Sequence, residues 1–250
     1  MKLVRFFSRC GLFFVCLLVV SGCKHNEPEG TVRDLPFVVY FDQTEDRYLL
    51  RSVKTDNGKS DLILYADVIA TSSVVEEGLP GIGDFEIDFK NKIASKYYNA
   101  EVITWREAPL SEFTMVKDPD NVQGDSIKVT WSKGSNIVGS TFFVKLTQDV
   151  QQGAEYYYWL NYDEAIEVED DVYTLQLNAR KTTKPAEDAA VEKKTIGLTF
   201  DMRDFFVKYA DKNTFGFVIK HMSGIDEMGL NRNENYTLPT KITVNPVGGQ

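Results

Sequence analysis

Residues 83–89 read Gly83-Asp84-Phe85-Glu86-Ile87-Asp88-Phe89. From Phe85 onward apolar and acidic residues alternate without a break. At the two-residue period of a strand, this sets Phe85, Ile87 and Phe89 on one face and the acids on the other. The same texture extends upstream. Residues 35–42 and 46–53 are rich in β-branched and aromatic side chains, and Thr55-Asp56-Asn57-Gly58-Lys59 is a turn signal before Leu62-Ile63-Leu64-Tyr65. The first three strands therefore form a meander. Residues 71–83, with Gly78, Pro80, Gly81 and Gly83, read as a flexible loop through which neither a dinucleotide fingerprint nor a P-loop can be written. A fifth strand spans residues 97–105.

Five short strands with a long connection between the third and fourth meet the requirement of an OB-type Greek-key barrel, which we place at residues 35–110. Pro109, Pro119 and Gly124 interrupt the pattern, so residues 111–125 read as a linker. Beyond it, about seven strands are expected, at residues 126–131, 139–147, 155–162, 172–180, 195–202, 214–220 and 236–244. Their number and spacing predict an immunoglobulin-like β-sandwich over residues 126–250. Alternation points Tyr173, Leu175 and Leu177 inward on one strand, and Ile196, Leu198 and Phe200 on another. Residues 203–210 form a helical turn or two. Residues 183–194, charged and Ala-rich, read as a mobile loop between two hairpin strands. The fold class expected is all-β.

The N-terminus carries an address. Lys2, Arg5 and Arg9 precede an apolar run over residues 11–20, and Val20-Ser21-Gly22-Cys23 follows. The run is about half the ~20 residues that span a bilayer, so a single-pass anchor is the lesser reading. Small residues at Ser21 and Gly22 open the bond before Cys23 to a peptidase. The stretch resembles the processing site of bacterial lipoproteins, which implies a signal peptide over residues 1–22, recognised at Val20, Ser21 and Gly22, and a lipid on the Cys23 thiol. That lipid is the only attached group expected, with no other cofactor. Residues 23–34 read as a flexible tether, and Glu27 and Glu29 resemble a surface-export signal. The protein is then an exported outer-membrane lipoprotein on the periplasmic leaflet or the cell surface, held to the membrane by its lipid.

Cys10, Cys16 and Cys23 all precede the folded region, so no disulfide is available and stability must come from core burial. Removing residues 1–22 leaves 25 basic groups against 37 acidic, a net charge of −12. That balance disfavours nucleic acid as a partner.

Histidine is scarce. His25 lies in the tether and His221 near a strand end, where a half-exposed structural role is expected. Asp118-Pro119-Asp120-Asn121, with Gly124 and Asp125, looks like a calcium loop. Val122 and Val129 stand where an EF-hand needs oxygen ligands, so Asp118, Asp120 and Asp125 are a weak metal candidate and a turn is the better reading. Glu167, Glu169, Asp170 and Asp171 read as a solvated hairpin. The candidate binding surface is Tyr156-Tyr157-Tyr158-Trp159 with Tyr162: on a strand, Tyr156 and Tyr158 share one face while Tyr157 and Trp159 share the other. At least one face is core, and the other is core or surface. Tyr97, Tyr98 and Trp105 carry the same two readings. Asp125-Ser126-Ile127 matches a short O-glycosylation consensus at Ser126.

The lipobox, the Tyr48-Leu49-Leu50-Arg51 strand, the Gly83 to Phe89 strand, and the segments Leu175-Gln176-Leu177-Asn178-Ala179-Arg180 and Gly197-Leu198-Thr199-Phe200-Asp201-Met202 together resemble the NigD-like lipoproteins. The resemblance implies an N-terminal OB domain, a C-terminal β-sandwich and a hint of bacteriocin immunity. It carries over no catalytic residue. Residues 71–83 and 183–194 are longer than the family pattern. The function expected is a non-enzymatic, lipid-anchored envelope module that binds a protein or glycan. The alternative is a glycan-active or glycan-binding surface protein using paired carboxylates and the 156–159 strand. A structural subunit of a surface complex is a third reading.

Overall fold

The computed structural model describes residues 30–53, 61–116, 124–132, 135–238 and 241–243. The first module comprises β1 (Thr31–Asp42), β2 (Arg47–Val53), β3 (Asp61–Tyr65), α1 (Asp67–Ala70), β4 (Pro80–Ile93) and β5 (Tyr97–Glu107). Its strands close into a barrel in the order β1-β2-β3-β5-β4, with β3 and β5 parallel. This is the expected OB arrangement. Phe37, Val39, Leu50, Leu64, Phe85 and Ile87 fill it, and α1 adds the buried Ile69 from the long connection. The Asn57-Gly58 turn lies outside the described residues.

Two details differ from the sequence reading. Gly81 and Gly83 belong to β4 rather than to a loop, because the rings of Phe37 and Phe85 lie against them where any side chain would stand. Phe89, expected beside Phe85 and Ile87, is partly exposed where β4 runs past the barrel.

The second module contains β6 (Leu110–Val116), β7 (Val129–Trp131), β8 (Asn136–Val138), β9 (Thr141–Gln151), β10 (Glu155–Asp163), β11 (Val172–Thr183), β12 (Val191–Asp201), α2 (Arg203–Lys208), β13 (Thr214–Ile225), β14 (Asn231–Thr237) and β15 (Ile242–Thr243). Among the described residues ten strands replace the roughly seven expected. The added strands are β6, the three-residue β8, and the split of residues 236–244 between β14 and β15, segments whose alternation is too short to read. The strand order is β14-β13-β11-β10-β6-β12-β9-β7, with β8 on β9 and β15 on β13.

The single sheet folds into two layers at β6. Leu110 and Ser111 pair with β12, whereas residues 112–116 pair with β10, both in parallel. Inward side chains from both layers meet in one core: Phe142, Val144, Leu146, Leu198 and Phe200 from one, Leu160, Tyr162, Tyr173, Leu175, Leu177, Phe217 and Ile219 from the other. Tyr173, Leu175 and Leu177 are inward as expected; Ile196 is only half-buried. Phe205 of α2 plugs one end of the core, its ring against those of Phe113, Tyr162, Tyr173, Tyr209, Phe215 and Phe217.

Residues 111–125 are not wholly a linker, since 110–116 are β6, a central strand. Likewise Thr31 to Asp34, assigned to the tether, begin β1. Only Ala108 and Pro109 separate β5 from β6. There Ala108, Val138 and Phe143 pack against Val38 and Ile82 of the barrel. Asp34 pairs with Lys145 at 2.9 Å across the same joint, an exposed contact of at most about 1 kcal/mol. The loop after β11 joins opposite layers rather than hairpin strands, because residues 191–194 continue β12 against β9.

Candidate functional site

Strand alternation on β10 sorts the aromatic run. Tyr158, Leu160 and Tyr162 join the sandwich core, with the half-buried Tyr156 packed against it, while Tyr157, Trp159 and Asn161 lie on the outer face. Tyr158 is 8% exposed and Tyr157 46%. The Tyr158 hydroxyl donates to Gln148 Oε1 at 2.7 Å in the buried interior, and burial pushes its ionisation well above the ordinary tyrosine range. Tyr157 donates to the Glu112 carboxylate at 2.7 Å. That bond lifts its pKa above the ordinary tyrosine range, and its ring stacks on Trp159 at 5.9 Å. Trp159 is nevertheless buried, flanked by Tyr157 and by Arg180, whose guanidinium lies 5.6 Å from its ring. Its Nε1 and the Nδ2 of Asn161 have no hydrogen-bond partner, although Asn161 Oδ1 accepts from Thr114 at 2.7 Å. Tyr97 is buried and Tyr98 and Trp105 half-buried against the barrel core, so these three are packing residues.

Two open clefts meet at Tyr156, where β10 begins. One, of about 560 Å³, is lined by Glu155, Tyr156, Tyr157, Tyr158, Thr182, Lys194, Thr195 and Ile196 among others. The other, of about 620 Å³, is lined by Gly124, Asp125, Ser126, Tyr156, Lys181, Thr182, Lys184, Met222 and Ile225. The hairpin register puts Lys181 opposite Tyr156, with its ammonium 5.8 Å from the ring. Lys181 Nζ also donates to Gln151 Oε1 at 3.1 Å. Three lysines, 181, 184 and 194, thus rim a tyrosine-floored end of the sandwich. Sequence reasoning found the tyrosines and missed the lysines, which reach the site only through pairing between strands and across layers. Counting the β10–β11 register back from the acidic hairpin would have found Lys181.

Other candidates fall elsewhere. Asp125 fixes the linker's end on β11: its N–H donates to Ala179 O at 2.6 Å, and its carboxylate accepts from Lys181 N at 2.6 Å. Gly124 is needed there because a Cβ at this position would collide with the Ala179 backbone. Ser126 is exposed beside it. Asp118 and Asp120 lie outside the described residues, as do His25, Cys23, Val20, Ser21 and Gly22. Among the described residues no three His, Cys, Asp or Glu side chains come together as a metal site, and no helix is long and apolar enough to cross a membrane.

His221 is buried, not half-exposed, because it lies on the inward face of β13 where β7 closes the sandwich. Trp131 meets it edge-on at 5.7 Å and stacks on Tyr236 at 4.9 Å. Neither ring nitrogen has a hydrogen-bond partner. Burial holds its basicity below the ordinary histidine range, and Glu234 at 3.9 Å only partly opposes this. Glu167, Glu169, Asp170 and Asp171 are solvated residues of the β10–β11 hairpin, with Asp171 paired to Lys212 at 3.0 Å. Asp84 and Asp88, on the barrel, are held below the ordinary carboxylate pKa by hydrogen bonds that favour the charged form, Asp84 mainly by the Asp34 N–H and Asp88 mainly by Asn91.

No protein-family model matches the chain, and no protein of curated description matches it. Solved structures do. A protein from Bacteroides fragilis described as a candidate lipoprotein is 10% identical, with a TM-score of 0.55 over 87% of this chain and 100% of that one. A protein of unknown function from Bacteroides vulgatus is 12% identical, with a TM-score of 0.52 over 87% and 97%. A NigD-like immunity protein from Bacteroides caccae is 11% identical, with a TM-score of 0.48 over 84% and 97%. The chain shares the all-β fold of the first two.

Proposed function

We propose that the protein is a lipid-anchored, non-enzymatic binding module of the cell envelope that holds an acidic protein partner at the Tyr156 end of its sandwich. The observation that carries this reading is the meeting of two clefts at Tyr156 under a rim of Lys181, Lys184 and Lys194. Tyrosine supplies contact area at low entropic cost, which suits an anchor. A cationic rim on a chain that carries a net charge of −12 once residues 1–22 are removed concentrates the attraction for an anionic partner at one place. Attachment through Cys23 follows from the lipobox. Immunity against a secreted toxin is the form of binding suggested by the NigD-like resemblance.

The glycan-hydrolase alternative is less well supported. Each cleft is lined by a single carboxylate, Glu155 in one and Asp125 in the other, and Asp125 is already engaged by Lys181 N. The test is photo-crosslinking in intact cells, with a benzophenone amino acid at position 157 and a control at Val207, exposed on α2. A discrete protein adduct from 157 and none from 207 supports the reading. Equal labelling from both, or none from 157, refutes it.

A further inference from the structure

Strand β14 reads Asn231-Arg232-Asn233-Glu234-Asn235-Tyr236-Thr237 and ends the strand order; among the described residues only β13 pairs with it. Its backbone polarity can be assigned. Leu238 N donates to Phe217 O at 3.0 Å, and the Arg232 carbonyl accepts from Ser223 Oγ at 3.2 Å. By the alternation of an antiparallel ladder, even-numbered residues turn their N–H and C=O toward β13. The odd-numbered Asn231, Asn233 and Asn235 turn theirs outward, an open edge of the kind proteins must cover or use.

The side chains on this edge complement a copy of themselves. Pairing two β14 strands antiparallel about Asn233 sets Asn233 opposite Asn233 and Asn231 opposite Asn235, in the positions whose backbone groups face outward. The same register sets Arg232 opposite Glu234 twice and Leu230 opposite Tyr236 twice, each pair on one face. Leu230 needs such a cover. It stands 60% exposed beside the exposed Ile225 and Met228 on a hairpin tip. The Asp226 carboxylate holds that tip by accepting from Met228 N at 2.9 Å and Leu230 N at 2.8 Å.

We propose that β14 docks on β14 of a second copy of this chain, giving a twofold dimer with one sheet running through both. The register of charge favours a second copy over a foreign strand, because an Arg-Asn-Glu sequence centred on the axis satisfies both ion pairs with no other partner. An isologous contact of this kind closes and does not propagate. The proposal is independent of the ligand assigned to the Tyr156 end.

The test uses the full chain, exported and lipidated in cells, with Asn233→Cys. Residues opposite one another at such a position have Cα atoms about 5.5 Å apart, within disulfide reach. Mild oxidation and non-reducing electrophoresis should give a covalent dimer from Asn233→Cys, none from Asn231→Cys or Asn235→Cys alone, and one from the two together. The unsubstituted chain is the blank. In the Asn233→Cys background, Arg232→Glu should cut the dimer yield several-fold, and adding Glu234→Arg should restore it. The proposal is overturned by no dimer from Asn233→Cys, by equal yields from Asn231→Cys alone, by a mixed disulfide to a different protein instead, or by indifference to Arg232→Glu.

Discussion

Replacing Tyr158 and Tyr157 separately with alanine separates the two faces of β10. Tyr158 is 8% exposed and its ring lies in the sandwich core, so truncation leaves a cavity and removes its burial. A buried aromatic lost in this way costs about 3 to 5 kcal/mol. Gln148 then loses its Oε1 partner while its Nε2 is already unpaired, adding about 1 to 3 kcal/mol for a buried polar group without a hydrogen bond. The sum approaches the whole stability of an ordinary domain, about 5 to 15 kcal/mol. Tyr157, at 46% exposure, loses an exposed bond to Glu112 and one stacking contact with Trp159, together about 1 kcal/mol. Urea unfolding followed by tryptophan fluorescence reads both. Tyr158→Ala should unfold at far lower urea or fail to fold, and Tyr158→Phe, which keeps the ring, should lose only about 1 to 3 kcal/mol. Tyr157→Ala should shift the midpoint slightly with an unchanged slope. Comparable losses from Tyr157→Ala and Tyr158→Ala would refute the face assignment and remove the surface proposed at Tyr157.

Further outcomes follow from single residues. His221 has its basicity lowered on folding, so the unfolded chain takes up the proton first; stability is full above about pH 6.5 and falls as pH drops below it. Unfolding curves between pH 7.5 and 5.5 should show this loss in the wild type and a flatter profile in His221→Leu, and identical slopes would contradict it. Ala94 and Ser95 both take left-handed backbone, at φ 48° and 58°, in the β4–β5 turn, where Asn-Gly is the unstrained pair. Ala94→Asn with Ser95→Gly should therefore raise stability by about 1 kcal/mol in a thermal melt, and a decrease would show that the turn carries no strain. Cys23→Ala should leave an uncleaved or soluble chain in place of the membrane-bound form, and an unmodified Cys23 thiol in the membrane fraction would end the lipoprotein reading.

The barrel was legible because its pattern is local: unbroken alternation at Phe85 to Phe89 and β-branched runs at residues 35–42 and 46–53 need no knowledge of partners. The second module was legible as strands but not as layers. Nothing in Leu110 to Val116 announces that one end of β6 will pair with β12 and the other with β10, since both contacts are fixed by residues more than forty positions away. Gly81 and Gly83 misled for a related reason. A glycine kept for a neighbour's ring has the same letter as a glycine kept for a turn, and only the positions of Phe37 and Phe85 distinguish them. At the candidate site, alternation split the tyrosines into two faces, yet could not say which was wet; that depended on which layer β10 joined. His221 was misjudged because strand-end position says nothing of β7 folding over it with Trp131.

The central claim is that the lysine-rimmed tyrosine end, and not another surface, holds an acidic protein. It is tested most directly by titrating the partner recovered through position 157 against the wild type and against Lys181→Glu/Lys184→Glu/Lys194→Glu, at 50 and 200 mM salt. The account predicts wild-type affinity that falls as salt rises, and at least a roughly tenfold weaker Kd for the triple variant at low salt, with a loss of stability no larger than the Lys181 contacts to Gln151 and the Tyr156 ring supply, about 1 to 2 kcal/mol. Equal affinity of the two proteins at both salt concentrations would contradict it.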